Sequence, residues 1–110
     1  MTCPRCHSTE LAWAAGFFDG EGYTGHQDRS LMLAVGQSGD PVTLKRFQKA
    51  INGLGTLYGP YRRGDTRKLV YRWQTRRADI VKQVIALLTP FLSLPKRQQI
   101  RKALRSWTSR

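Results

Sequence analysis

The chain has 110 residues and carries 19 Lys and Arg against 7 Asp and Glu, a formal charge of +12. That length builds one domain around one core and is small enough to favour a partner. The charge points to polyanions, nucleic acid above all. No apolar run approaches the roughly 20 residues that span a bilayer, and no signal-peptide core follows the N-terminus. A membrane protein and a secreted one are therefore set aside, and a cytoplasmic or organellar location is expected.

Residues 1–8 read as an N-terminal extension and 9–110 as a single domain. Cys3 and Cys6, in Cys-Pro-Arg-Cys-His, are half of a zinc knuckle with no second cysteine pair in the chain. A Zn²⁺ site there needs His7, His26 or a second subunit; otherwise the pair is two reduced thiols. A first helix is expected to start after Ser8, with Glu10 in its first turn, and to run to about Asp19, where Gly20 and Gly22 stop it. Alternation from Tyr23 to Gln27, a polar turn at 28–30, and Leu31, Leu33 and Val35 on one face read as a β-hairpin. Gly36 to Gly39 break its second strand.

Asp40-Pro41 starts a second helix, with Leu44, Phe47 and Ile51 spaced three and four apart, ending at Asn52-Gly53. A second hairpin, Gly55–Tyr61 and Leu69–Thr75, sets Leu69, Tyr71 and Trp73 on one face and Arg72 and Gln74 on the other. A third helix over Ala78–Leu88 carries Ile80, Val84, Leu87 and Leu88 inward and ends at Pro90. Ser93-Leu94-Pro95 caps a last basic helix reaching Trp107. The order α-β-β-α-β-β-α-α makes an α+β domain with helices over one face of a four-stranded sheet.

The opposite sheet face then carries Met32, Ala34, Arg72 and Gln74. Gln27, Arg29, Arg62, Arg63, Arg67 and Lys68 extend it into the hairpin turns. Such a ribbon fits a duplex major groove, where Arg forks to guanine and Gln pairs with adenine; the plain alternative is a solvated basic face. Asp19 and Glu21 pose a separate question, because a helix C-terminus repels negative charge. Two acids set there among glycines form a candidate cation site. Gly16 and Gly20, four apart, with Ala12 and Ala15, thin one side of the helix. Two such helices meeting side by side bring two copies of Glu21 together.

The segment Ala14-Ala-Gly-Phe-Phe-Asp-Gly-Glu-Gly22 resembles the nine-residue signature of LAGLIDADG homing endonucleases, in a single copy. The element order is similar, and Leu87-Leu-Thr-Pro-Phe-Leu-Ser-Leu-Pro-Lys-Arg-Gln98 resembles the family stretch LLxPYLxxKxxQ. The resemblance implies an αββαββα fold with a saddle-like antiparallel sheet. It also implies a homodimer that cuts double-stranded DNA at a palindromic or nearly palindromic site, using Mg²⁺ or Mn²⁺, encoded in an intron, intein or phage genome.

By the same resemblance Glu21 binds the metal, assisted by the Gly20 carbonyl, while Asp19 caps backbone at the helix end within the dimer interface. Gln37, expected just after the second strand, organises water at the scissile phosphate or is a solvent-facing strand end. Lys96 serves catalysis, although Pro95 adjoins the position of the family lysine. Arg97 and Gln98 contact DNA. The rival expectation is a binding module on the same fold, an RNA maturase or a DNA-binding protein without cleavage.

Overall fold

A computed structural model describes residues 4–27, 30–62 and 69–108, with side chains at 7–25, 31–62 and 69–106. Helix α1 spans Pro4–Glu21, so residues 4–8 of the expected extension are helical. Proline suits a first helical turn, where its missing N–H costs nothing. The helix also passes through Gly20 and stops one residue before Gly22. There the chain turns directly into strand β1, Gly22–Gln27. A Cβ at position 22 would overlap the Phe18 ring and carbonyl, so this turn requires glycine.

Strand β2, Ser30–Ser38, continues through Gly36, expected to break it, and ends just before Gly39. Helix α2 follows at Val42–Ala50, then β3 at Thr56–Arg62 and β4 at Leu69–Thr75. Pairing is antiparallel throughout, in the order β1-β2-β4-β3. The central position of β2 explains its length: β4 supplies partners for Gly36 at Arg72, Gln37 at Tyr71 and Ser38 at Val70. Gln37 therefore lies within the strand rather than after it. The chain leaves β2 at Gly39, in the left-handed region at φ 96°. The Gly39 N–H donates to the Leu69 carbonyl at 2.8 Å.

At the start of α2 the Asp40 carboxylate accepts from the Val42 N–H at 2.8 Å, which satisfies an orphan donor of the first turn. Asn52 and Gly53, at φ 62° and 76°, close the segment after the helix. Helix α3 spans Ala78–Leu88 and passes into a 3₁₀ turn, Thr89–Phe91, that contains Pro90; helix α4 is Leu94–Thr108.

The helices cover one sheet face. Leu31, Leu33, Val35 and Trp73 point into them and are buried with Phe18, Leu44, Phe47, Val81, Val84 and Leu88. Trp73 is the centre: its ring meets Phe47 edge-on at 4.9 Å between centroids, and its Nε1 donates to the Leu54 carbonyl at 2.9 Å. Gly55 lies against the indole face, leaving no room for a Cβ. Tyr71 packs at the margin of this core. Leu69, expected within it, is only half-buried, because β4 there extends past the helical layer toward Ser38 and Arg62.

Glu10 and Arg46 join α1 to α2 at 2.9 Å, with the guanidinium also stacked 3.9 Å from the Trp13 ring centroid. Hydrogen bonding from Arg46 holds the Glu10 carboxyl below its ordinary range. A depressed carboxylate favours the fold above its unfolded pKa and loses that contribution as pH falls through the folded value. Arg46→Ala should therefore make acid unfolding begin at a slightly higher pH, read by circular dichroism; at so exposed a pair the effect is small.

Candidate nucleic-acid interface

The sheet face without helices is concave and encloses about 1000 Å³. Strand register orders its side chains into rows. Tyr23, Ala34, Gln74 and Thr56 form one row; Gly36, Arg72 and Tyr58 form the next; Ser38, Val70 and Tyr61 form a third. Arg72 donates from Nη1 to Gln74 Oε1 at 3.5 Å, so the guanidinium and the amide stand side by side. Arg62 lines the groove from the end of β3, and Gln37 lines it from β2. Met32 and Ala34 floor it but are 8% and 5% exposed, roofed by their neighbours.

The tyrosines were not legible from alternation alone. Tyr23, Tyr58 and Tyr61 are 55%, 40% and 50% exposed along the two edges. A register irregularity between Tyr58 and Tyr61 keeps both on the concave side although they are three residues apart. The signal was the Gly59-Pro60 pair, which marks such an irregularity in an edge strand.

The C-terminus of α1 meets the N-terminus of α4 at the rim of this groove. Asp19 accepts twice from Ser93, from its hydroxyl at 2.6 Å and its N–H at 3.2 Å. The acid that the α1 dipole disfavours is thereby placed at the start of α4, where the dipole favours it. Asp19 thus caps a helix 74 residues away, not its own local backbone, and its side chain is engaged within the chain. Ser93 was missed as its partner; the Ser-Leu-Pro start of α4 was the available sign.

Lys96, one turn on, donates its Nζ to the Gly22 carbonyl at 3.1 Å and to Gln99 Oε1 at 3.2 Å. The same ammonium lies 5.6 Å from the Phe18 ring centroid. Two links, Asp19–Ser93 and Lys96–Gly22, therefore bracket Glu21. Removing the first with Ser93→Ala should cost about 1 kcal/mol, the usual worth of a helix cap, measured by thermal unfolding.

Glu21 itself is exposed and lines the groove, and its carboxylate makes no hydrogen bond or ion pair among the described residues. No cluster of three His, Cys, Asp or Glu side chains forms among the described residues. Cys6 and His7 lie near the start of α1, while Cys3, Arg29, Arg63, Arg67 and Lys68 fall outside the described residues, as do the side chains of His26 and Gln27. Arg97 and Gln98 are exposed on α4 and do not line the groove with Arg72 and Gln74. The reason is that α4 packs on the helical side of β1 and β2.

Along α1, Ala12, Gly16 and Gly20 are exposed at four-residue spacing. Ala15 is not part of that stripe. It is fully buried with Leu11, Ala14 and Phe18 on the inward face, as the three- and four-residue spacing of those positions dictates. A Cβ at Gly16 or Gly20 would meet nothing within 4 Å.

No protein-family model matches the chain, and no curated protein matches it. Solved structures do. One is the homing endonuclease I-CvuI bound to the I-CreI target with 2 mM Mg, the DNA not cleaved, at a TM-score of 0.70 and 25% identity over 90% of this chain. Another is I-CvuI with its own target in 2 mM Ca, at a TM-score of 0.66 and 25% identity over 90% of this chain. The chain spans 66% of the length of these neighbours. The α+β architecture, one four-stranded antiparallel sheet with four helices, is the fold of these homing endonuclease structures.

Proposed function

We propose that the chain is a homodimeric endonuclease of the LAGLIDADG type that uses a divalent cation to cleave both strands of DNA at a palindromic or nearly palindromic site. One observation carries the reading: the Glu21 carboxylate, unpaired among the described residues, stands at the rim of a concave groove lined by Arg62, Arg72 and Gln74. The DNA complexes of the structural neighbours support a duplex as the occupant.

The donor chemistry fits Mg²⁺ or Mn²⁺. Glu21 offers a hard oxygen, and the carbonyls of the last turn of α1, Gly20 among them, lack intrahelical partners at the negative end of the dipole. These two residues would hold the ion. A bound ion supplies charge stabilisation at the phosphoryl group and an acidified water. The rest falls to the protein. Lys96 keeps an ammonium beside Glu21, while Arg72 and Gln74 fix the duplex by its base edges. Arg62 contacts the backbone.

Two glycines that the described residues do not need support the dimer. Glycine in a helix interior costs about 1 kcal/mol relative to alanine, and nothing in the chain's own packing requires it at Gly16 or Gly20. A second helix approaching along Ala12, Gly16 and Gly20 supplies the reason and brings one Glu21 to each strand. Gly16→Leu should fold normally, sediment as a monomer, and lose cleavage. A Gly16→Leu protein that stays dimeric would remove this interface from the account.

The test of function is cleavage of duplexes selected from a random library, with and without Mg²⁺. Cutting in Mg²⁺ that stops on chelation is the expected result; tight binding without cutting by wild type would make the chain a binding module.

A further inference from the structure

The concave groove does not end with the sheet. A second hollow of about 500 Å³ opens beside it, sharing Tyr58 and Gln74 with the first. Its other walls are the loop Gly53–Gly55, Thr75, the start of α3 at Ile80, and two consecutive arginines, Arg76 and Arg77, that follow β4 directly. Arg77 has extended backbone, and its guanidinium meets Asp79 at 3.3 Å with 78% of the side chain still exposed. Arg77 thus combines a held orientation with open access to solvent, and Arg76 beside it is also exposed.

Backbone direction says where this shelf stands relative to bound DNA. An extended chain advances about 3.3 Å per residue, so Arg76 lies roughly 7 Å beyond Gln74. For a duplex lying along β4, with one phosphate per strand every ~3.4 Å, that is about two base steps from the position Gln74 reaches, short of the β1–β2 turn. The hollow presents guanidinium groups and loop backbone there, chemistry suited to phosphate oxygens. Asp79 is the one acid in the stretch from Leu69 to Leu88, against four basic residues, Arg72, Arg76, Arg77 and Lys82.

Resting on the endonuclease reading above, we propose that Arg76 and Arg77 form a phosphate-binding shelf that adds a backbone contact to each chain's hold on the duplex, about two base steps from Gln74 on the β3 side of the sheet. Contacts of this kind add affinity without reading sequence. The test compares wild type with the double variant Arg76→Ala, Arg77→Ala, in Ca²⁺ buffer, on two probes: a duplex recovered by selection and a scrambled duplex of the same length. The exposed Arg77–Asp79 pair contributes little to stability, and a thermal melt of the variant beside wild type separates loss of fold from loss of binding. Arg76→Gln alone serves as a second variant if the double variant melts early.

The expected result is a slope of log K against log salt shallower by about 1 for each arginine removed. Affinity should fall equally for both probes, with hydroxyl-radical protection lost at a few backbone positions within each half-site. An unchanged slope and footprint overturns the shelf, as does a loss confined to the selected sequence. Wild type that binds neither duplex defeats the endonuclease reading itself, a result separate from either of these.

Discussion

Glu21→Gln should lower cleavage about 10³-fold while leaving duplex affinity in Ca²⁺-free buffer within a few-fold of wild type. The magnitude follows from removing an anionic ligand: several kcal/mol of transition-state charge stabilisation, at one decade per 1.36 kcal/mol. Folding should be untouched, because Glu21 is exposed and its carboxylate engages no described residue. Single-turnover cleavage read beside fluorescence anisotropy separates the two effects. Asp19→Asn gives the contrast. Asp19 spends its charge on Ser93, so that variant should lose melting temperature first and activity only as α4 loosens. A Glu21→Gln protein that cuts at the wild-type rate would remove this carboxylate from the chemistry.

Trp73→Ala is expected to be the most destabilising single truncation in the core. Truncating a buried tryptophan costs about 3–5 kcal/mol in transfer and cavity terms. Here it also strips the Leu54 carbonyl of its donor and the Phe47 ring of its edge contact. Domains of this size carry about 5–15 kcal/mol in total, so a midpoint shift of roughly 15 °C or more follows. Trp73→Phe should lose markedly less, because the ring contact with Phe47 survives. Urea unfolding followed by circular dichroism checks both. A Trp73→Ala variant within 1 kcal/mol of wild type would mean that the core is not centred on this residue.

Local pattern carried most of the fold. The order of elements, the inward sets Leu31-Leu33-Val35 and Leu44-Phe47-Ile51, and the left-handed exit at Asn52-Gly53 all follow from periodicity and turn chemistry. What pattern missed was set by tertiary partners. β2 runs through Gly36 because β4 lies alongside it. α1 runs to Glu21 because Ser93 receives Asp19. Leu69 falls outside the core because the helical layer stops short of it.

The site was legible in the same uneven way. Arg72 and Gln74 share the concave face, as alternation implies, and Lys96 reaches the residue next to Glu21. Ala15 pointed inward because its helical phase matches Leu11 and Phe18, a fact that counting small residues concealed. The tyrosine edges depended on a strand irregularity, and Arg97 and Gln98 depended on which side of the sheet α4 occupies. None of these is written in residue type alone.

The most direct test is the mass of the protein on its DNA, by sedimentation of wild type with a selected duplex. Two chains per duplex is the predicted stoichiometry, each bringing its own Glu21 to one strand. A single chain on the duplex, cutting as one unit, would contradict the account.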